Sequence, residues 1–169
     1  MSDRSRPAAP GISVGLRPER PADRPFLLGL YTAHRWEELR PVPWTDAQKR
    51  AFLAMQFDAQ ATHYRATYDA ARWDLITFRG RRAGRLYVCP LPGQLRIVDI
   101  SVLPEFRRIG IGTYLLRDLI AEAEAEQLRL GVHVDQQNPA LRWYERLGFT
   151  VVEVRTPYLY MERPAGFRG

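Results

Sequence analysis

At 169 residues the chain is long enough for one domain with a continuous core and short for two ordinary ones. Its 46% hydrophobic and 26% charged residues give the balance of a globular protein, and no apolar run is long enough to cross a bilayer, which excludes a helical membrane role. Lys plus Arg total 25 against 19 Asp plus Glu, a net charge of +6 that favours anionic partners, while the single cysteine, Cys89, excludes a disulfide framework and a cysteine metal cluster.

Residues 1–11 lack the apolar stretch of a secretory signal and are expected to form a flexible tail, with a reducing, cytoplasmic location as the default. A single domain is expected over 12–162. Ile12 to Arg17 alternates as a first strand, and Phe26 to Trp36 has helical spacing with Pro25 near its start. Thr45-Asp46-Ala47-Gln48 has the form of a capping box opening a second helix, whose apolar face is expected at Phe52, Met55, Gln56, Ala59 and His63.

Asp74 to Arg79 and Arg85 to Val88 read as strands of a hairpin linked by Gly80 to Gly84, after which Pro90, Leu91, Pro92 and Gly93 turn the chain again. Leu95 to Val102 is rich in β-branched residues and, from Ile97 onward, apolar on both faces apart from Asp99 and Ser101, as in a central strand. A helix from Ile111 carries the stripe Leu115, Leu116, Leu119, Ile120 and Ala123. Leu128 to Val134 is a further strand and Pro139 to Leu147 a short helix ended by Gly148. Phe149 to Met161 holds two strands split by Thr156-Pro157, and 163–169 reads as a polar tail. This order implies a mixed sheet with helices packed on it.

The chemistry concentrates between the central strand and the helix that follows it. Helix starts leave backbone N–H groups without partners and carry partial positive charge; Gly110 and Gly112 let an anion approach, and Arg107 and Arg108 add charge. The segment lacks the Gly-Lys-Ser/Thr of a Walker loop, and Leu115 stands where a dinucleotide fingerprint needs its third glycine, so neither ATP nor NAD is favoured.

The segment Val102-Leu103-Pro104, then Arg107-Arg108-Ile109-Gly110-Ile111-Gly112, together with Asn138 and Tyr144-Glu145-Arg146-Leu147-Gly148-Phe149, resembles the GNAT N-acetyltransferase superfamily over roughly Leu95 to Met161. The resemblance implies an α/β (α+β) fold with a mixed, mostly antiparallel central sheet and helices on both faces, and acetyl-CoA as the acetyl donor, with no metal. The backbone of Ile100, Ser101 and Val102 would pair with the pantetheine arm like an added strand, which requires an open strand edge. The stretch Arg107, Arg108, Ile109, Gly110, Ile111, Gly112 and Thr113 would hold the pyrophosphate, and Asn138 and Tyr144 would close over the sulfur end.

Acetyl transfer to an amine calls for an oxyanion donor, an acid and a base. The resemblance assigns the first two to the Val102 N–H and the Tyr144 hydroxyl. His133, on a strand five residues before Asn138, titrates in a useful range and is the candidate base, with Asp99 or an ordered water as alternatives. Cys89 is set aside as a nucleophile because no histidine lies near it in sequence. Trp36, Glu37 and Glu38 could hold a cationic amine, against the plainer reading of solvated surface charge. The expectation is an N-acetyltransferase acting on an amine-bearing small molecule or peptide, with a homodimer admitted and neither nucleic acid nor membrane as partner. The alternative is a catalytically idle acyl-CoA sensor or interaction module on the same fold.

Overall fold

The structure, a computed structural model, describes residues 13–167. The tail expected over 1–11, the first residue of the expected domain and the last two of the C-terminal tail lie outside the described residues. Among the described residues are seven strands, in the sheet order β1-β2-β3-β4-β5-β7-β6, and four α-helices. The strands are β1 Val14–Pro18, β2 Arg72–Phe78, β3 Arg81–Leu91, β4 Gln94–Val102, β5 Arg129–Asp135, β6 Thr150–Arg155 and β7 Tyr158–Arg163. The helices are α1 Arg24–Arg35, α2 Asp46–Thr67, α3 Ile111–Ala125 and α4 Leu141–Arg146. The sheet is mostly antiparallel, as expected, and β4 holds the middle place expected of it. Its pairing with β5 is parallel, which demands a crossover, and α3 provides it.

The chain forms two compact units, Met1–Leu86 with Ile100–Ile111 and Tyr87–Asp99 with Gly112–Gly169. In the first, α1 and α2 bury Leu27, Tyr31, Leu53 and Phe57 with Leu75 of β2. The capping box forms as expected: Gln48 N–H donates to Thr45 Oγ1 at 3.2 Å and Thr45 N–H to Gln48 Oε1 at 2.9 Å. The expected face of α2 is wrong. Leu53 and Phe57 are buried at 1% and 5%, whereas Met55 is 61% exposed. Two apolar lines compete on this helix, and the one through Leu53, Phe57, Ala61 and Tyr64 has more bulk to bury than the one through Phe52 and Met55.

At the start of this unit the buried Asp23 carboxylate accepts from Arg17 Nη2 at 2.7 Å and Nη1 at 2.8 Å, and from the Arg20 N–H at 2.9 Å. Arg82 of β3 stands 3.4 Å away. The Arg17 hydrogen bonds hold this carboxyl well below the usual carboxylate range, against the opposing effect of burial.

The β2–β3 link is shorter than expected. Arg79 and Gly80 alone make the turn, with φ of +49° and +76°, the pair of left-handed residues that a two-residue hairpin needs. Gly84 therefore sits inside β3, where a Cβ would overlap the Ser101 carbonyl oxygen and come within 3.0 Å of Val102 Cα. Leu103 N–H donates to Ala83 O at 2.8 Å beside this close approach.

In the second unit, Leu95, Ile97, Leu115, Leu116, Leu119, Leu130, Val132, Val134, Phe149 and Met161 are buried, so the stripe read on α3 packs as expected except that Ile120 is only half-buried. β3 continues through Pro90 to Leu91, so Cys89 lies buried within a strand rather than at a turn. Arg163, read as the first residue of a tail, ends β7 and is buried: its Nε donates to Leu147 O at 3.0 Å and its Nη2 pairs with Glu124 at 2.9 Å.

Candidate functional site

β4 runs on to Val102, but its pairs with β5 extend only from Gln94↔Arg129 to Ile97↔Val132. Ile100, Ser101 and Val102 are half-buried at its end. The Ser101 carbonyl lies against Gly84. Because the C=O and N–H of a trans peptide point in opposite directions, the Val102 N–H is directed away from β3.

After Val102 a short 3-10 turn, Pro104–Phe106, is anchored by the buried Phe106 ring, 6.0 Å from Phe78 and overlaid by Arg81 at 5.2 Å. Arg107 then folds back: its Nε donates to Val102 O at 3.0 Å, and its Nη2 lies 3.3 Å from His34 Nε2. Arg108 and Gly110 have φ of +62° and +90°. A non-glycine residue held left-handed is a costly conformation, and the step from left-handed Gly110 into the right-handed helix at Ile111 turns successive N–H groups into one concavity. Arg107 to Gly110 are all exposed, Ile109 included, and α3 begins at Ile111 with its first-turn amides unbonded within the helix.

Gly112 and Thr113 open α3 beside α4. A Cβ on Gly112 would stand 3.4 Å from Trp143 Cζ2, an ordinary contact, so the protein itself does not need glycine there. Trp143 Nε1 donates to Thr113 Oγ1 at 3.0 Å, a tie between α3 and α4 that the sequence reading missed. Asn138 is exposed, and its Oδ1 accepts from the Ala140 N–H at 2.9 Å, shaping the turn into α4.

Tyr144 is buried at 4% exposure, its ring 4.9 Å from Trp143 and 5.4 Å from Phe149. Burial pushes its hydroxyl well above the ordinary phenol range, and the charge of Asp99 adds to the rise. The phenol is thus kept protonated at neutral pH.

His133 points to the opposite side of β5 from the buried Val132 and Val134. Its ring is 4.9 Å from Tyr160, and Arg96 Nη1 is 3.3 Å from its Nδ1. Desolvation, then the charges of Arg96 and Arg155, lower its pKa, so the imidazole is neutral at pH 7. Next to it, Gln94, Tyr160 and Glu162 form a polar network, Tyr160 donating to Glu162 Oε1 at 2.6 Å.

Glu38 pairs with Arg35 at 2.8 Å and Glu37 with Arg40 at 3.3 Å, and the cation over the Trp36 ring is Arg50, at 5.1 Å. The plainer reading of these acidic residues as surface charge fits that pairing. Among the described residues no group of three or more His, Cys, Asp or Glu is gathered as metal ligands would be, and no helix is long and apolar enough to cross a membrane.

Residues 30–149 match the model of the acetyltransferase (GNAT) family. A 66-residue stretch, 37% of this chain, is 39% identical to an N-alpha-acetyltransferase of Sulfurisphaera tokodaii, and it spans 39% of that relative's length. Among solved structures the fold is similar to the PaiA N-acetyltransferase of Thermoplasma acidophilum in complex with coenzyme A, at a TM-score of 0.66 and 14% identity over 90% of this chain and 99% of that one. It is also similar to the ribosomal-protein-S18-alanine N-acetyltransferase of Escherichia coli, at a TM-score of 0.60 and 20% identity over 92% and 96%.

Proposed function

Because the chain belongs to the acetyltransferase (GNAT) family, we propose that it transfers the acetyl group of acetyl-CoA to a primary amine by direct attack in a ternary complex. The observation that carries this reading is the turn into α3, where left-handed Arg108 and Gly110 precede a helix start and two arginines supply positive charge. That arrangement suits a pyrophosphate. The amides from Arg108 to Thr113 hold it, with Arg107 bracing the turn against Val102.

Acetyl-CoA supplies the activated acetyl thioester. The backbone from Ile100 to Val102 takes the pantetheine arm as an added strand, a role supported by β4 continuing past its last pair with β5. The Val102 N–H, directed off β3, donates to the oxygen on which charge develops. Tyr144 keeps its proton at working pH and donates it to the departing sulfur. His133, neutral at pH 7, accepts the proton of the amine, and the amide nitrogen of Asn138 holds the pantetheine. The named activities of the relatives recommend peptide N-termini beside small amines as acceptors.

The test is release of free thiol from acetyl-CoA against such a panel, with coenzyme A affinity measured in parallel for wild type and Gly112→Ala. Amine-stimulated release, with weakened coenzyme A binding in a variant that melts as wild type does, upholds the reading. Tight binding without release under any amine moves the chain to the idle acyl-CoA module, and absence of binding refutes both.

A further inference from the structure

Among the described residues β6 ends the sheet order and β7 is its one partner strand, so its other edge presents backbone groups outside the ladder. Every residue of the strand is exposed. Val151, Val152 and Val154 are 46%, 57% and 61% accessible, and Tyr158 beyond the turn is 50% accessible. A bulge between Val151 and Glu153 disturbs the first half of the strand, but from Glu153 to Arg155 it is regular. We infer that this edge docks a second copy of the chain, its β6 antiparallel to the first about a two-fold axis at Val154.

Two independent features select that register. The first is charge. An axis normal to the sheet at Val154 sets Glu153 opposite Arg155 of the other copy twice over. An axis at Glu153 would face two carboxylates, one at Arg155 two cations, and one at Val152 would leave Glu153 opposite a valine. Within one chain Arg155 Nε already pairs with Glu153 Oε1 at 2.7 Å, on side chains 73% and 47% exposed. Across the axis the four charges alternate in sign around a ring.

The second feature is backbone direction. Pro157 O accepts from the Gln136 N–H at 2.9 Å on the β5 side, so by alternation Tyr158 faces β6, and Arg155, its partner in register, faces β7. By alternation the Val154 N–H and C=O face away from β7. Only when they meet a residue facing the same way can bonds form, and Val154 against its own copy completes two. The valine side chains that are exposed in one chain then cover each other. A second copy, rather than an unrelated peptide, is the occupant because this short strand is complementary to itself in both respects.

The test is sedimentation velocity of the full chain over its soluble concentration range, with circular dichroism to check the fold of each variant. Wild type is expected to show a monomer–dimer equilibrium. Glu153→Arg and Arg155→Glu should each weaken it about tenfold, because both cross-axis pairs become like-charged. An equimolar mixture of the two variants should dimerise again, since one copy then offers two cations and the other two carboxylates. Wild type that stays monomeric throughout overturns the inference, as does a dimer that neither variant weakens or single variants whose mixture fails to recover it.

Discussion

Replacing Gly84 by alanine adds one methyl group at the point where β3 passes closest to the end of β4. The added carbon would overlap the Ser101 carbonyl oxygen and stand 3.0 Å from both Ser101 C and Val102 Cα, all of them backbone atoms that cannot rotate aside. The Ser101–Val102 peptide has to retreat by on the order of 1 Å, and overpacking of this kind costs about 1–3 kcal/mol. That peptide carries the N–H proposed to meet the developing oxyanion, and a displacement of about 1 Å in a catalytic group costs roughly 100-fold in rate. We therefore expect Gly84→Ala to lower the urea midpoint and, independently, to depress kcat at saturating acetyl-CoA by about two orders of magnitude. Gly80→Ala is the control. Gly80 has φ of +76° and nothing within 4 Å of an added Cβ, so alanine there costs about 1 kcal/mol of turn strain and leaves kcat unchanged. A folded Gly84→Ala protein with wild-type kcat would refute the assignment of the Val102 N–H.

Tyr144→Phe keeps the ring between Trp143 and Phe149 and should change stability by less than about 1 kcal/mol, while kcat falls about 100-fold or more with KM for acetyl-CoA nearly constant. The same variant should lose an alkaline stability limb. The folded phenol is raised above its unfolded value, so its contribution is complete below about pH 10 and declines as pH rises beyond it. Asp23→Asn should cost about 1.5–3 kcal/mol in chemical denaturation at pH 7. Because the folded carboxyl is depressed, the wild-type advantage is present above about pH 3.9 and shrinks as pH falls below it, so the two stability curves converge in acid. His133→Gln should abolish an acid limb of kcat/KM whose midpoint lies below about 6.5, the ordinary histidine value; an unchanged pH profile assigns the base elsewhere.

The turn into α3 was the most legible part of the chain because its chemistry is local. Arg107 to Gly112 are contiguous, their helix start follows from the periodicity of Leu115, Leu116 and Leu119, and the left-handed turn at Gly110 needs no distant partner. The capping box at Thr45 and Gln48 was readable for the same reason. What escaped depends on residues far apart in sequence. The face of α2 was decided by what Tyr31 and Leu75 present to it, and two lines of apolar residues met the helical spacing equally well. Gly84 read as part of a turn because glycine marks both turns and crowded strands, and only the approach of Ser101 distinguishes them. Trp143 carried no motif, and its partner Thr113 lies 30 residues away. For His133 the sequence supplied the residue, while its face of β5 and its neighbours Arg96 and Tyr160 emerged only with strand register.

The bond from Trp143 to Thr113 also makes the protein its own reporter. An indole whose N–H is tied to the second residue after the start of α3, and whose six-membered ring covers Gly112, emits light according to the polarity and motion of that spot. Of the four tryptophans in the chain, Trp143 is the one placed there by both observations. With Trp36, Trp44 and Trp73 changed to phenylalanine, its emission would follow occupancy of the α3 turn in real time, without a label and without waiting for a chemical step.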